Sequence, residues 1–333
     1  MLNSQALAPV TAVLLLCAST LAAGSLDQRH PGADAFVEQM VSAHGLDRER
    51  LTALLGQAEK SDSIIKAMTR PAEAKPWHQY RPIFITNKRI ADGVAFWREN
   101  RQLLAQVEQE YGVPAAIVVA IIGVETSYGR ILGSYRVIDA LATLGFHYPP
   151  RAKFFRSELE HFLMLGLEEG LNLDQVKGSY AGAMGLGQFI SSSYRSYAVD
   201  FDADGQRNLW QSRPDAVASV ANYFKRHGWR QGEPVATRAR RHDGARELND
   251  ITIKPAYPVT QMIEWGYSPV EAPPSPEQAV TLIELETTSG AEYWLGYHNF
   301  YVISRYNHSA LYSMAVYQLS RKIEQQTLFD IHP

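Results

Sequence analysis

The chain has 333 residues, of which 46% are hydrophobic and 20% charged, so it is long enough for two or three compact units that share a core. Its formal net charge of −3 gives no reason to expect nucleic-acid binding. The single cysteine, Cys17, lies near the start of the sequence, so no disulfide can stabilise the rest of the chain.

Residues 1–23 have the pattern of a signal peptide. Residues 6–23 are apolar, too short for a convincing membrane span, and end in small residues such as Ala22, although no Lys or Arg precedes them. Cys17 leaves a lipid anchor open, but Leu16 before it is larger than the small residue expected there. We expect an exported, soluble periplasmic protein, with an outer-membrane lipoprotein as the alternative.

Residues 34–110 have the apolar spacing of a helical N-terminal lobe. Short helices are predicted over residues 35–41 and 50–55, and one longer helix is predicted from Phe84 to Val107. The following residues up to 230 are also predicted to be mainly helical.

An apolar run at residues 115–124 ends in one carboxylate. The run carries no charge, so its predicted helix must be buried nearly all round, with Pro114 in the first turn and Gly129 at the end. Burial raises the pKa of a carboxylic acid, and a Glu that stays protonated near neutral pH can act as general acid on a glycosidic oxygen. Glu125 is therefore the candidate catalytic residue, and the competing interpretation is a surface Glu at a helix end.

Four glycines lie between Gly178 and Gly187, just before a helix predicted to start near Ser191. This density of glycine lets a backbone bend tightly and approach a ligand closely. The segment has neither the Lys of a phosphate-binding loop nor the G-x-S-x-G order of a nucleophile elbow. A substrate-lining loop, with Ser179 and Gln188 as hydrogen-bonding side chains, is favoured over a plain turn.

An acidic turn comes next along the chain. Asp200, Asp202 and Asp204 stand at positions 1, 3 and 5 of a calcium-loop pattern, with Gly205 at position 6. Position 12, where such a loop has a bidentate Glu, is Gln211. We favour a cation site, with calcium in a structural role, over a solvated acidic turn.

Beyond residue 231 the composition changes to Pro-rich turns and short β-patterned runs. Runs at 281–287 and 292–297 predict a hairpin within a small antiparallel β insertion that covers 232–297. The C-terminal segment, 298–333, is expected to return to the core, with a helix over residues 310–323.

Four separated motifs occur in the order found in the B family of lytic murein transglycosylases, which the chain resembles from about residue 34 onward. The motifs are Gly-Val-Glu-Thr-Ser-Tyr-Gly-Arg (123–130), Gly-Ser-Tyr-Ala-Gly-Ala-Met-Gly-Leu-Gly-Gln-Phe (178–189), Ser-Val-Ala-Asn-Tyr-Phe (219–224) and Asn-Phe-Tyr-Val-Ile-Ser-Arg-Tyr-Asn-His-Ser (299–309). The resemblance implies a mainly α (α+β) fold. It places a lysozyme-like catalytic core at 111–231, with the calcium-type loop at 200–215, between the helical lobe and the β insertion.

The family cleaves the β-1,4 bond between N-acetylmuramic acid and N-acetylglucosamine in peptidoglycan and leaves a 1,6-anhydromuramic end. The resemblance implies that Glu125 protonates the leaving oxygen and then deprotonates the muramyl C6 hydroxyl. The substrate's acetamido group takes the place of a second carboxylate, although Asp139, Glu158 and Glu160 stay open as partners. A muramidase that hydrolyses the same bond and a non-catalytic peptidoglycan-binding protein are the alternatives.

The resemblance also assigns binding positions. Ser179 and Gln188 fall on positions that line the saccharide cleft. The positions that match residues near the catalytic Glu or the bound glycan are Tyr80, Arg151, Tyr223, Tyr306, Asn307 and Tyr312, with Pro150 standing where a second basic residue is expected beside Arg151. The resemblance adds Gln206 and Asp215 to the metal ligands of the acidic loop, with Asp215 as the closing ligand. No cofactor is implied for the chemistry. The expected partners are peptidoglycan glycan strands, and cell-wall synthesis or division proteins are further candidates.

Overall fold

The computed structural model describes residues 25–69, 75–249 and 251–329. The predicted signal peptide and Cys17 lie outside these residues. Within them the chain is mainly helical, with two small antiparallel sheets. The predicted mainly α (α+β) class is therefore confirmed.

The helices in the described residues are α1 (Ala33–His44), α2 (Arg48–Gly56), α3 (Asp62–Met68), α4 (Trp77–Phe84), α5 (Asn87–Glu99), α6 (Arg101–Tyr111), α7 (Ala115–Thr126), α8 (Val137–His147), α9 (Ala152–Glu168), α10 (Ser191–Tyr197), α11 (Arg213–Arg226), α12 (Val259–Glu264), α13 (His298–Ser304) and α14 (Ala310–Phe329). The strands are β1 (Tyr135–Arg136), β2 (Lys177–Gly178), β3 (Ala236–Arg241), β4 (Tyr257–Pro258), β5 (Tyr267–Pro269), β6 (Ala279–Thr287) and β7 (Gly290–Gly296). Single 3-10 turns cover Leu26–Gln28 and Pro149–Arg151.

Helix α7 forms the centre of the main hydrophobic core. Every residue from Ala115 to Thr126 is buried except Glu125, which is half-buried. The helix packs against α5, α6, α11 and α14, so its apolar side chains have partners on all sides. Each fully buried Ile or Val contributes about 1.5–3 kcal/mol to the hydrophobic free energy of folding. The catalytic candidate therefore extends from a helix that is otherwise buried in the core.

The prediction of one helix from Phe84 to Val107 was wrong. Phe84 ends α4, and the remaining stretch divides into α5 and α6 at Asn100. Asn100 is buried and non-helical, and its side-chain amide donates to the carbonyl of Phe96 at 2.7 Å. This hydrogen bond satisfies a carbonyl in the last turn of α5. Helix α6 begins at the next residue, so the apolar spacing continues across the break.

The larger sheet contains five strands in the order β4-β6-β7-β3-β5, and all neighbouring pairs are antiparallel. The predicted hairpin is confirmed as β6 and β7, whose register closes with Thr287 opposite Gly290. The sheet and α12 enclose a separate small hydrophobic cluster that includes Met262, Tyr267 and Leu295. The predicted C-terminal helix is also confirmed, as α14, and packs against α7.

No single helix among the described residues is long and apolar enough to cross a membrane. Helices α6 and α7 pass that test only as a pair, and they are bent by 113° at the break between them.

Candidate active site

The carboxylate of Glu125 meets a phenol from the far end of the chain. Tyr312, in the first turn of α14, donates a hydrogen bond from Oη to Oε1 of Glu125 at 2.5 Å. The Tyr312 side chain is buried, and burial followed by the nearby charge of Glu125 raises the pKa of its hydroxyl. The phenol is therefore protonated throughout the physiological range and acts as a fixed donor to the carboxylate.

Two further predicted cleft tyrosines lie beside this pair. Burial, and then the charge of Glu125, raise the pKa of Tyr306, whose hydroxyl donates to the carbonyl of Gly187 at 2.6 Å. The rings of Tyr306 and Tyr223 are 4.8 Å apart, and the Tyr223 hydroxyl donates to the carbonyl of Arg305 at 2.5 Å. These hydroxyls fix the turn between α13 and α14, so the turn keeps a defined position next to the carboxylate.

Tyr80 lies near Tyr312, and Asn307 belongs to the turn that precedes α14. Tyr80, on α4, is buried, with its ring 5.1 Å from that of Phe84. Its phenol is close enough to contribute to the raised pKa of Tyr312. Asn307 directly follows Tyr306 in the turn before α14. Thus α4, α7, α14 and the preceding turn all contribute to the surroundings of Glu125.

After Gly178, which belongs to β2, the glycine-rich segment folds into a compact loop. Ser179 organises its first half, because its Oγ accepts hydrogen bonds from the amides of Ala181 and Ala183 at 3.2 and 3.0 Å. In the second half, the side-chain amide of Gln188 donates to the carbonyls of Gly185 and Leu132 at 3.0 and 3.3 Å. Both predicted residues are half-buried in the loop that Tyr306 contacts through Gly187.

Thr126 joins this loop to α7, a contact that the sequence analysis missed. Its buried hydroxyl lies 3.0 Å from the carbonyl of Leu186 and 3.1 Å from that of Ile122, and it accepts from the amide of Gly129 at 3.0 Å. The side chain next to Glu125 therefore fixes the spacing between α7 and the glycine-rich loop. A buried polar residue directly after the Glu was the available signal, because such a group must find a partner.

Arg151 is placed apart from these contacts. It is exposed, and its guanidinium lies 4.4 Å above the ring of Phe154 and 5.1 Å from that of Phe155. These stacking contacts keep the side chain at the end of α8 and the start of α9, and leave its charge accessible to solvent.

The three carboxylates that stayed open as partners of Glu125 are engaged elsewhere. Asp139 accepts from the amide of Glu59 at 2.9 Å, and Glu160 contacts His44 at 2.8 Å. Glu158 is buried and accepts from the amide and hydroxyl of Ser192 at 3.0 and 2.7 Å, which caps the start of α10. Each of them thus has a structural partner in the described part of the chain.

Three of the predicted metal ligands lie together. One carboxylate oxygen from each of Asp200, Asp202 and Asp204 falls within 4.8 Å of the others. The loop is closed by hydrogen bonds from the amides of Asp204 and Gly205 to Asp200, and the amide of Gln206 donates to Asp204. Clustered carboxylates of this kind suit a hard cation with oxygen ligands.

Asp215 has a different environment from the three exposed or half-buried acids. It is buried at the start of α11, where its two oxygens accept from the amides of Phe201 and Asn208 at 2.8 and 2.7 Å. Burial raises its pKa, and the nearby charge of Asp202 acts in the same direction. Asp215 therefore holds the acidic loop in place by accepting hydrogen bonds from the backbone amides of Phe201 and Asn208.

Comparison with known proteins gives one family. The sequence profile described as "Transglycosylase SLT domain" matches residues 28–321. The chain is 44% identical over 304 residues to membrane-bound lytic murein transglycosylase B of Escherichia coli K12, which covers 88% of this chain and 83% of the relative.

Solved structures agree with this result. The catenated lytic transglycosylase SltB1 of Pseudomonas aeruginosa superimposes with a TM-score of 0.85 and 48% identity, over 92% of this chain and 99% of the other. The Escherichia coli lytic transglycosylase Slt35 in complex with calcium gives 0.84 and 43%, over 91% and 95%. The solved structures that resemble this chain are lytic transglycosylases of lysozyme-like fold. The chain belongs to the SLT-domain transglycosylase family and is a lytic murein transglycosylase.

Proposed function

We propose that Glu125 is the single acid and base of this transglycosylase and that its substrate is the glycan strand of peptidoglycan. The observation that carries the proposal is the hydrogen bond between Tyr312 and Glu125 at the end of an otherwise apolar helix. Burial of a charge is unfavourable, so a carboxylate in that position is better explained by a role in the reaction than by packing.

The reaction moves one proton from Glu125 to the substrate and then one proton from the substrate back to Glu125. Glu125 donates its proton to the glycosidic oxygen, and the bond between C1 of the muramyl unit and that oxygen breaks. The carboxylate then takes the proton from the muramyl C6 hydroxyl as O6 bonds to C1, which closes the 1,6-anhydro ring. The acetamido group of the substrate stabilises C1 between the two steps. The enzyme returns to its starting state, and no water is consumed.

The glycine-rich loop supplies the contacts that hold the sugar. Because Oγ of Ser179 accepts two backbone amides, its own proton can be donated to a substrate oxygen. The amide nitrogen of Gln188 binds two loop carbonyls, so its Oε1 can accept from a sugar hydroxyl or acetamido N–H. The half-buried Tyr306 and Asn307 provide further aromatic and polar surface, and Arg151 supplies a charge for peptide carboxylates. Tyr80 and Tyr223 are buried, so they shape this surface from behind.

The acidic loop is proposed to hold a structural calcium ion. Asp200, Asp202 and Asp204 supply the clustered oxygens. The family resemblance adds Gln206 and Asp215 as further ligands. The calcium complex of Slt35 supports this assignment. The ion has no part in the bond-breaking steps. We also propose export to the periplasm, where an outer-membrane anchor through Cys17 is the alternative that the membrane-bound relative supports.

The experiment compares Glu125→Gln with Asp139→Asn, Glu158→Gln and Glu160→Gln on purified sacculi. Loss of the general acid and base should reduce cleavage by about 10²–10⁴-fold in Glu125→Gln, with binding to sacculi retained. The other three variants should cleave at rates near that of the wild type, once corrected for the folded fraction. A large loss in one of the three folded variants would indicate a second catalytic carboxylate. Near-normal cleavage by Glu125→Gln would remove Glu125 from its role.

A further inference from the structure

The turn that ends the catalytic helix adopts a backbone conformation that its residues do not favour. Ser127 and Tyr128 have φ angles of 51° and 62°, in the left-handed region that normally requires glycine. The prediction that Gly129 ends the helix was therefore wrong, because α7 already ends at Thr126. Helices commonly stop with a left-handed glycine at this point, but here the position is a serine.

This turn satisfies the last carbonyls of the helix. The amide of Ser127 donates to Gly123 at 3.1 Å, and that of Tyr128 donates to Ile122 at 3.2 Å. Glu125 lies within the segment that these two hydrogen bonds close. If the turn relaxed to a more favoured conformation, the bond from Tyr128 to Ile122 would break, and Glu125 would be held less firmly relative to Tyr312.

Helix α5 holds the turn through three contacts. The hydroxyl of Tyr128 donates to the carbonyl of Arg89 at 2.9 Å, and Nη2 of the same arginine donates to Oγ of Ser127 at 3.1 Å. Arg130 forms an ion pair with Asp92 at 2.7 Å. Unfavoured backbone conformations persist only where the surrounding structure fixes them. In this turn α5 provides that support.

Two glycines make room for the Tyr128 hydroxyl. A Cβ added at Gly93 of α5 or at Gly123 of α7 would lie 2.5 Å from that oxygen. Glycine inside a helix is unfavourable because its backbone loses more entropy than that of other residues. Both helices thus contain a weak helix former where the phenol passes between them.

We propose that Tyr128 and Arg89 are positioning residues for Glu125: they hold the left-handed turn so that the carboxylate stays aligned for both proton transfers. Neither residue is proposed to touch substrate. The inference rests on the proposed function, since it assigns the two residues to the acid and base steps of that reaction.

The test uses Tyr128→Phe, which removes the hydroxyl and keeps the ring that packs 5.7 Å from Phe96. Tyr317→Phe is the matched control, because Tyr317 is also half-buried and also donates to a backbone carbonyl, that of Ala236, at 2.9 Å. We expect kcat on a soluble glycan to fall about tenfold in Tyr128→Phe with KM within about twofold, the pattern of a lost transition-state interaction. Tyr317→Phe should keep the wild-type kcat.

The second measurement is the ratio of 1,6-anhydro to reducing-end products. A misaligned Glu125 should let water compete with the C6 hydroxyl, so the ratio should fall in Tyr128→Phe. A purely structural role would lower the melting temperature and leave both kcat of the folded enzyme and this ratio unchanged, which would overturn the proposal. If Tyr128→Phe does not fold, Ser127→Ala is measured instead, because it removes only the oxygen that Arg89 contacts. Absence of anhydro products from the wild type would contradict the proposed function itself.

Discussion

The hydroxyl of Tyr312 and the carboxylate of Glu125 are 2.5 Å apart, although 187 positions separate them in the sequence. The contact forms because α14 packs along α7, which brings the first turn of one helix to the last turn of the other. The C-terminal helix therefore completes the surroundings of Glu125.

Tyr312→Phe should reduce kcat by roughly tenfold to a hundredfold, because a hydrogen bond to a charged group contributes about 1.5–3 kcal/mol. The ring remains, so packing against α7 should be retained. The variant is assayed on a soluble glycan beside wild-type enzyme at equal folded concentration. A kcat within twofold of the wild type would show that the Tyr312 hydroxyl is not needed for proton transfer.

Thr126→Val should destabilise the protein by about 1–3 kcal/mol, because it removes the hydrogen bonds of the Thr126 hydroxyl to the carbonyl of Leu186 and the amide of Gly129. Thr327→Val is the control: the Thr327 hydroxyl is also buried and bonds the carbonyl four residues earlier, at 2.8 Å, but it contacts no loop. Urea unfolding gives both free energies of unfolding. Equal losses would mean that the link from Thr126 to Leu186 adds nothing to stability.

The local sequence pattern predicted α7 and Glu125 because ten uncharged residues in a row have one physical interpretation, a buried helix. It could not predict the contact with Tyr312, which depends on packing between distant segments and was expected only through the family resemblance. The break at Asn100 was missed because the apolar spacing continues across it. The support of the left-handed turn by α5 was missed as well. In the sequence it is indicated only by Gly93 and Gly123, which leave room for the Tyr128 hydroxyl.

A pair of histidines, one buried and one half-buried, should make stability depend on pH. His30 is fully buried, and its Nδ1 lies 3.0 Å from Nε2 of His147. Burial lowers the pKa of both residues below the ordinary value of about 6.5. The unfolded chain therefore binds more protons than the native protein once the pH falls through that value. The contribution of the pair to stability is complete above the unfolded pKa and is lost as the pH falls below it.

His147→Gln should weaken this dependence, because Gln can donate to His30 but does not titrate. The melting temperature of each protein is measured at pH 7.5 and at pH 5.5. Its decrease between the two pH values should be smaller in the variant than in the wild type. His308→Gln, at an exposed position, is the control and should behave like the wild type. An unchanged drop in His147→Gln would show that the pair does not couple protons to folding.

Calcium should raise the melting temperature, since a ligand that binds only the native state stabilises it. Each kcal/mol that calcium binding adds to the free energy of unfolding should raise the melting temperature by about 2–4 °C. Asp200→Asn combined with Asp204→Asn should remove the increment, whereas Asp243→Asn, at an exposed position outside the loop, should retain it. A wild-type melting temperature that does not respond to calcium would identify residues 200–206 as an acidic turn only.

The most direct measurement is the mass of the products. Purified peptidoglycan digested by the wild-type enzyme should give 1,6-anhydromuropeptides, each lighter by one water than the corresponding hydrolysis product, because the C6 hydroxyl held in the site attacks faster than bulk water. Glu125→Gln should give neither product. Mass spectrometry of the wild-type digest that shows mainly reducing-end muropeptides would make the enzyme a muramidase, and uncleaved sacculi would leave only a peptidoglycan-binding protein.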